Sequence, residues 1–163
     1  MARSSDVGEL PTDPSRIDPD DIGEKRATLR TDHDAAVAHV REAFLDAGFG
    51  VAIEFSPAEL LDETIHAGRD PYHVLGAYDP VMADRALDAS DRRIGALFPY
   101  NAVVWEDEPG VRTVYHVSIM RIARLVGTAP DDDAMADVAD TGDLVDEAFA
   151  TVIDVPETEA AGD

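Results

Sequence analysis

The sequence predicts an α+β fold: two layers, with one mixed or antiparallel sheet of about five strands and helices mainly on one face. Three observations predict it. Strand-like and helix-like segments alternate through the first part of the chain, in the order β-α-β-α-β-α. A β-hairpin pattern follows late, and helical segments close the chain. The helix starts carry capping chemistry, which fixes where each element begins.

Residues 1–25 are rich in Asp, Pro and Ser, and Pro11, Pro14 and Pro19 interrupt any periodicity. They read as an acidic disordered tail. A single domain is expected over residues 26–154, followed by a second acidic tail over 155–163. ATLRT, ending at Thr31, reads as a short strand. The amphipathic segment that follows is capped by Thr31, Asp32 or Asp34 and buries Ala36, Val37, Val40, Phe44 and Ala47. Gly48 stops that helix. Phe49 to Phe55 is expected to be a strand with Phe49, Val51, Ile53 and Phe55 on one face.

Ser56-Pro57-Ala58-Glu59 has the cap, first-position proline and capping-box glutamate of a helix start. Leu60, Leu61 and Ile65 give it a stripe expected to be buried. His73 to Ala77 is a short apolar strand. Asp79-Pro80 starts another helix, with Val81, Met82, Ala86 and Leu87 toward the core. Gly95 to Pro99 turns the chain into the apolar strand Asn101 to Trp105. Glu108-Pro109-Gly110-Val111 fits a type II turn, and the alternation from Val111 to Ser118 is that of a strand. A short helix from Ile119 to Val126 is closed by Gly127. Thr128 to Asp133 reads as a loop with an acidic run, and Asp131 to Asp133 lack the spacing of a calcium loop. Thr141 to Ile153 is the last helix, with Leu144, Val145, Ala148, Phe149 and Val152 on its apolar face.

Composition limits the function classes. There are 35 acidic and 13 basic residues, for a net charge of −22. Phosphate binding needs a basic patch, so nucleic acid is not expected as a partner. An anionic membrane surface would repel the chain. No run approaches the roughly 20 apolar residues of a membrane span, and no signal peptide core is visible near the start. A cytoplasmic protein is expected. Lys25 is the sole lysine, and aspartate outnumbers glutamate. Concentrated salt shortens the screening length to about 3 Å at 1 M, which relieves self-repulsion. The charge therefore reads as adaptation to high salt. Cysteine is absent, which removes disulfides, thiolate metal sites and thiol nucleophiles.

The polar residues expected to converge are His73, Tyr78, Asp79, Tyr100, Asn101 and His116. Asn101, in an apolar strand, is read as satisfying its hydrogen bonds on neighbouring backbone and fixing a turn, or as orienting a small ligand beside Tyr78 and Tyr100. His73, His116 and Asp79 are the alternative, as a metal-dependent or enzymatic set. No pair has tight ligand spacing, so no metal or cofactor is expected. His33 and His39 are expected in solvent. Nucleophile elbow, phosphate loop and dinucleotide fingerprint are all missing. The expected function is thus a non-enzymatic binding or structural module, with a small-ligand pocket near Tyr78 and Tyr100. A partly apolar second sheet face would invite a homodimer.

GFGV (Gly48 to Val51), LGAYDP (Leu75 to Pro80), Ala83, Ala86 and Leu87, IGALFPYN (Ile94 to Asn101) and Val103 to Asp107 together resemble domain-of-unknown-function family 302. The resemblance spans roughly Ala27 to Ile153 and is most specific from Leu75 to Trp105. It implies a small, intracellular, two-layer α+β protein that often dimerises, and leaves the function open. Relatives often carry cysteine at the positions of Tyr78 and Tyr100, and asparagine at that of Asp79. Any thiol chemistry in those relatives is therefore impossible here.

Overall fold

A computed structural model describes residues 12–129 and 140–153. The expected acidic run Asp131–Asp133 and the tail 155–163 lie outside the described residues. The strands are β1 (Lys25–Arg30), β2 (Gly50–Phe55), β3 (Tyr72–Tyr78), β4 (Tyr100–Glu108) and β5 (Val111–His116). The helices are α1 (His33–Asp46), α2 (Pro57–Ile65), α3 (Pro80–Ala89), α4 (Ile119–Leu125) and α5 (Asp140–Ile153). This is the expected element order.

The strands form one open sheet in the order β1-β5-β4-β3-β2, antiparallel throughout. Strands β1 and β2 are neighbours in sequence but occupy opposite edges. The helix that joins them, α1, must therefore cross the sheet, and it packs on β2, β3, β4 and β5. Helix α5 packs beside it and on β1. The two-layer α+β reading holds, with α1 and α5 as the covering layer.

Strand alternation sorts the side chains. Ala27 and Leu29, Leu75 and Ala77, Ala102 and Val104, and Val114 and His116 all point at the helices and are buried. Against them α1 lays Ala36, Val37, Val40, Ala43 and Phe44, and α5 lays Val145, Ala148, Phe149 and Val152. Phe44 packs edge-on to Phe149 and tilted to Phe49. Asp32 supplies the α1 cap, accepting from the Ala35 N–H at 2.8 Å. Gly48, at φ 99°, turns the chain out of the helix.

Four expectations need correction. The β2 residues do not share one face. A bulge lies between Val51 and Ile53, so Val51 sits opposite Ala77 while Ile53 sits opposite Gly76. The extra residue throws Ile53 and Phe55 onto the open face. The α2 stripe is not buried: Leu60 is 51% exposed and Ile65 67%. Strand β2 is an edge, and α2 packs mainly on β3, so nothing described covers its outer side. Val81 is exposed too, leaving Ala83, Ala86, Met82 and Leu87 as the inner side of α3. His33 and His39 are half-buried rather than in solvent, and His33 Nδ1 and His39 Nε2 are shielded without a partner.

The open face carries Tyr72, Val74, Val103, Trp105, Val111 and Tyr115, all half-buried. Tyr72 stacks on Trp105 with ring planes 11° apart, Tyr115 tilts against Trp105, and the Arg26 guanidinium lies 5.5 Å from its ring centre. Asp107 accepts from the Trp105 indole N–H and the Thr113 hydroxyl, which fixes the row.

Candidate functional site

The tightest local geometry that bears on a site is at Gly23. Its φ of 59° is left-handed, and a Cβ there would stand 2.9 Å from Ser118 Cβ. Only glycine lets residues 20–24 pass this close to the start of α4. The Ser118 N–H donates to the Ile22 carbonyl at 2.9 Å, and the Arg121 guanidinium donates to the Asp20 carbonyl. These residues fall in the stretch expected to be an acidic tail, where Pro14–Arg16 also form a 3-10 turn.

The strand-leading segment, the β4 start, the β5 end, α4 and the start of α5 together enclose a cleft of about 630 Å³. Asp20, Gly23, Glu24 and Lys25 form one wall. Ser118, Met120, Arg121 and Arg124 form the second, and Gly142, Asp143, Val145 and Asp146 the third. Tyr100 and His116 line it as well, both only 2% exposed. Lys25 bridges the cleft to Asp146 at 2.6 Å, and Glu24 accepts from the Tyr115 hydroxyl at 3.1 Å. The charged lining is thus of both signs.

His116 is the chemically defined group here. Its Nδ1 lies 2.8 Å from the Asn101 carbonyl oxygen. A carbonyl only accepts, so Nδ1 carries the proton and Nε2 carries the lone pair. Burial pushes the imidazole pKa below the ordinary histidine value, against the opposing Asn101 bond. The ring is therefore neutral at physiological pH. Tyr100 directs its hydroxyl at Met120 Sδ, 3.8 Å away.

Of the six residues expected to converge, only Tyr100 and His116 share this cleft. Tyr78 follows Ala77, the register partner of Tyr100, so alternation points the two tyrosines to opposite faces. Tyr78 is 36% exposed. Asn101 is exposed rather than buried, and it is the backbone carbonyl, not the side chain, that serves His116. Asp79 caps α3, accepting from the Val81 and Met82 N–H groups at 2.9 and 3.0 Å.

His73 lies on the helix side of β3, and its Nε2 donates to Glu54 at 3.1 Å. Glu54 also takes the Arg41 guanidinium, which above all holds its carboxyl below the usual range. The His33 ring stands edge-on to His73 at 6.1 Å. His73, His116 and Asp79 are therefore not assembled into one site, and among the described residues no trio of His, Asp or Glu could hold a metal ion.

Sequence reasoning missed Lys25, Met120, Arg121, Arg124, Asp143 and Asp146. The one available signal was that the chain's sole lysine and two arginines one helical turn apart are conspicuous in so acidic a protein.

Fold and cleft define a two-layer α+β protein with an open sheet and, at Tyr100 and His116, a ligand-sized recess. The chain belongs to the family described as Domain of unknown function DUF302, which matches residues 25–152. Among solved structures it is similar to an uncharacterized conserved DUF302 protein from Bacillus stearothermophilus. The TM-score is 0.67 at 21% identity, over 79% of this chain and 97% of the other. At that identity the likeness speaks for the fold. No curated protein matches the chain.

Proposed function

We propose that this protein is a non-enzymatic small-molecule-binding module whose ligand occupies the cleft at Tyr100 and His116. One observation carries the reading: a buried histidine that lines a recess of about 630 Å³ and has its Nδ1 spent on the Asn101 carbonyl. That volume falls in the usual range for small-ligand sites, about 300–1,000 Å³. The test is a metabolite panel read by thermal shift and by resonances of the cleft residues, in molar potassium chloride. A hit that moves Tyr100 and His116 supports the reading. Hits confined to other surfaces, or none, count against it.

The working unit in this proposal is a homodimer joined through the open sheet face. Along its strands that face carries Arg26 and Arg30 against Asp107 and Glu108, with Glu24 at its margin on the Tyr115 hydroxyl, so it is close to neutral in a chain of net charge −22. A like-charged second copy is repelled less there than over a surface of the chain's average charge. Tyr, Trp and Arg are also the residues that anchor interfaces. Light scattering in high salt tests it: a dimer that Trp105→Arg converts to monomer supports the interface, and a wild-type monomer refutes it. In this reading the same charge suits a salty cytoplasm. Its melting temperature should rise from low salt to molar potassium chloride, and a flat response would contradict that.

A further inference from the structure

The cleft is polar at its base, and the base has one orientation. His116 Nδ1–H is committed to the Asn101 carbonyl, so Nε2 can only accept. Nε2 is not among the shielded, unpartnered polar atoms of the described residues, and the ring lines the cleft. A group docking there faces a lone pair.

We infer that the ligand of this cleft presents an N–H or O–H donor to His116 Nε2, and belongs to the uncharged amides, phenols and heteroaromatic N–H compounds. A carboxylate or phosphate would set its own lone pairs against that of Nε2. An ether or ester would leave the nitrogen desolvated and unpaired, which costs more than a lost contact. The walls agree with a neutral ligand. Lys25 is already paired with Asp146, and the remaining charges include both signs. Met120 offers an apolar, polarizable surface beside Tyr100 for a ring to rest on.

This inference rests on the reading of the cleft as a ligand site, and its test separates the two. The full chain, labelled with nitrogen-15 in histidine, is titrated in molar potassium chloride with phenol against anisole and with acetanilide against N-methylacetanilide. In each pair the second compound has lost its donor by gaining one methyl group. The expected result is at least about tenfold tighter binding of the donor compound, equivalent to about 1.4 kcal/mol. A shift of the His116 Nε2 resonance should accompany it, and His116→Phe should reduce the donor compound to its partner's affinity. Equal binding of both members at the cleft, unaffected by His116→Phe, overturns the donor inference but keeps the ligand site. No perturbation of cleft resonances by any probe overturns both. The histidine spectrum of the free wild-type protein decides the matter even if His116→Phe fails to fold. A protonated Nε2 there overturns the inference.

Discussion

The two faces of this sheet are built from alternate residues of the same strands, yet they end differently. On the helix side, Val104 and Val114 are fully buried under α1 and α5. On the other side, Trp105 and Tyr115, their immediate neighbours in sequence, stay half-buried with their rings tilted against one another. Both sets are apolar enough for a core. What separates them is whether another described element of the chain reaches them. The closed face sets stability and positions the cleft at its margin; the open face meets no covering helix among the described residues.

The sharpest way to break this contrast is a pair of truncations. Phe44→Ala, on the closed side, should lower unfolding free energy by about 3–5 kcal/mol in urea melts. Trp105→Ala should cost the dimer far more than the monomer, read as a lower mass in light scattering at dilutions where Phe44→Ala still associates. Equal losses of stability with unchanged mass for Trp105→Ala would erase the distinction between the faces.

A smaller effect probes the boundary between them. Gly76 faces the open side, where a Cβ would fall 2.4 Å from Pro99 Cγ. Gly76→Ala should therefore cost about 1–3 kcal/mol by forcing Pro99 away, while β3 keeps its pairing. A neutral result in the same melts would mean that the Phe98–Pro99 turn is not held against the sheet.

Acid should weaken the closed face selectively. His33 and His116 both have folded pKa values depressed by burial, His33 further by nearby Arg112 and His73. The unfolded chain then binds more protons, so stability is intact above the ordinary histidine pKa of about 6.5 and falls as pH drops below it. Measured in molar potassium chloride to mute the carboxylates, the urea midpoint should fall from about pH 7 to about pH 5, and His33→Gln should lessen the fall. A midpoint that holds steady or rises would contradict the burial of these rings. The Glu54 contribution, whose pKa is lowered mainly by Arg41, should be lost only at more acid pH.

The smallest change is expected on α2. Leu60→Ser should alter stability by no more than about 0.5 kcal/mol, because Leu60 is half exposed and has no covering neighbour to lose among the described residues. A loss of several times that size would place a partner on α2 and extend the uncovered region beyond the sheet.

The contrast between α1 and α2 also marks what a sequence can convey. Both carry a capped start and an apolar stripe at helical spacing. For α1, the stripe and a cap among Thr31, Asp32 and Asp34 were readable, and the structure realises the stripe and caps it with Asp32. For α2, the stripe was equally readable, but its burial depended on β2 lying at the sheet edge, which is set by long-range strand order. The β2 bulge was hidden for a related reason: one inserted residue changes the face of Ile53 and Phe55 without changing the composition of the strand. Tyr100 and His116 were legible as polar residues in apolar strands. The cleft was not, because its walls come from residues 20–25, 118–124 and 142–146, which only the fold brings together. Tyr78 and Tyr100 looked like a pair because both stand where relatives often carry cysteine, and a single step of alternation sets them on opposite faces.

The orientation of one imidazole decides what the cleft can hold. A nitrogen-15 histidine spectrum of the intact protein at neutral pH, recorded with and without phenol, tests it most directly. The prediction is a His116 ring protonated at Nδ1 alone, with a bare Nε2 resonance that moves when phenol is added. A ring protonated at Nε2, or an Nε2 signal indifferent to every donor that binds the cleft, would contradict it.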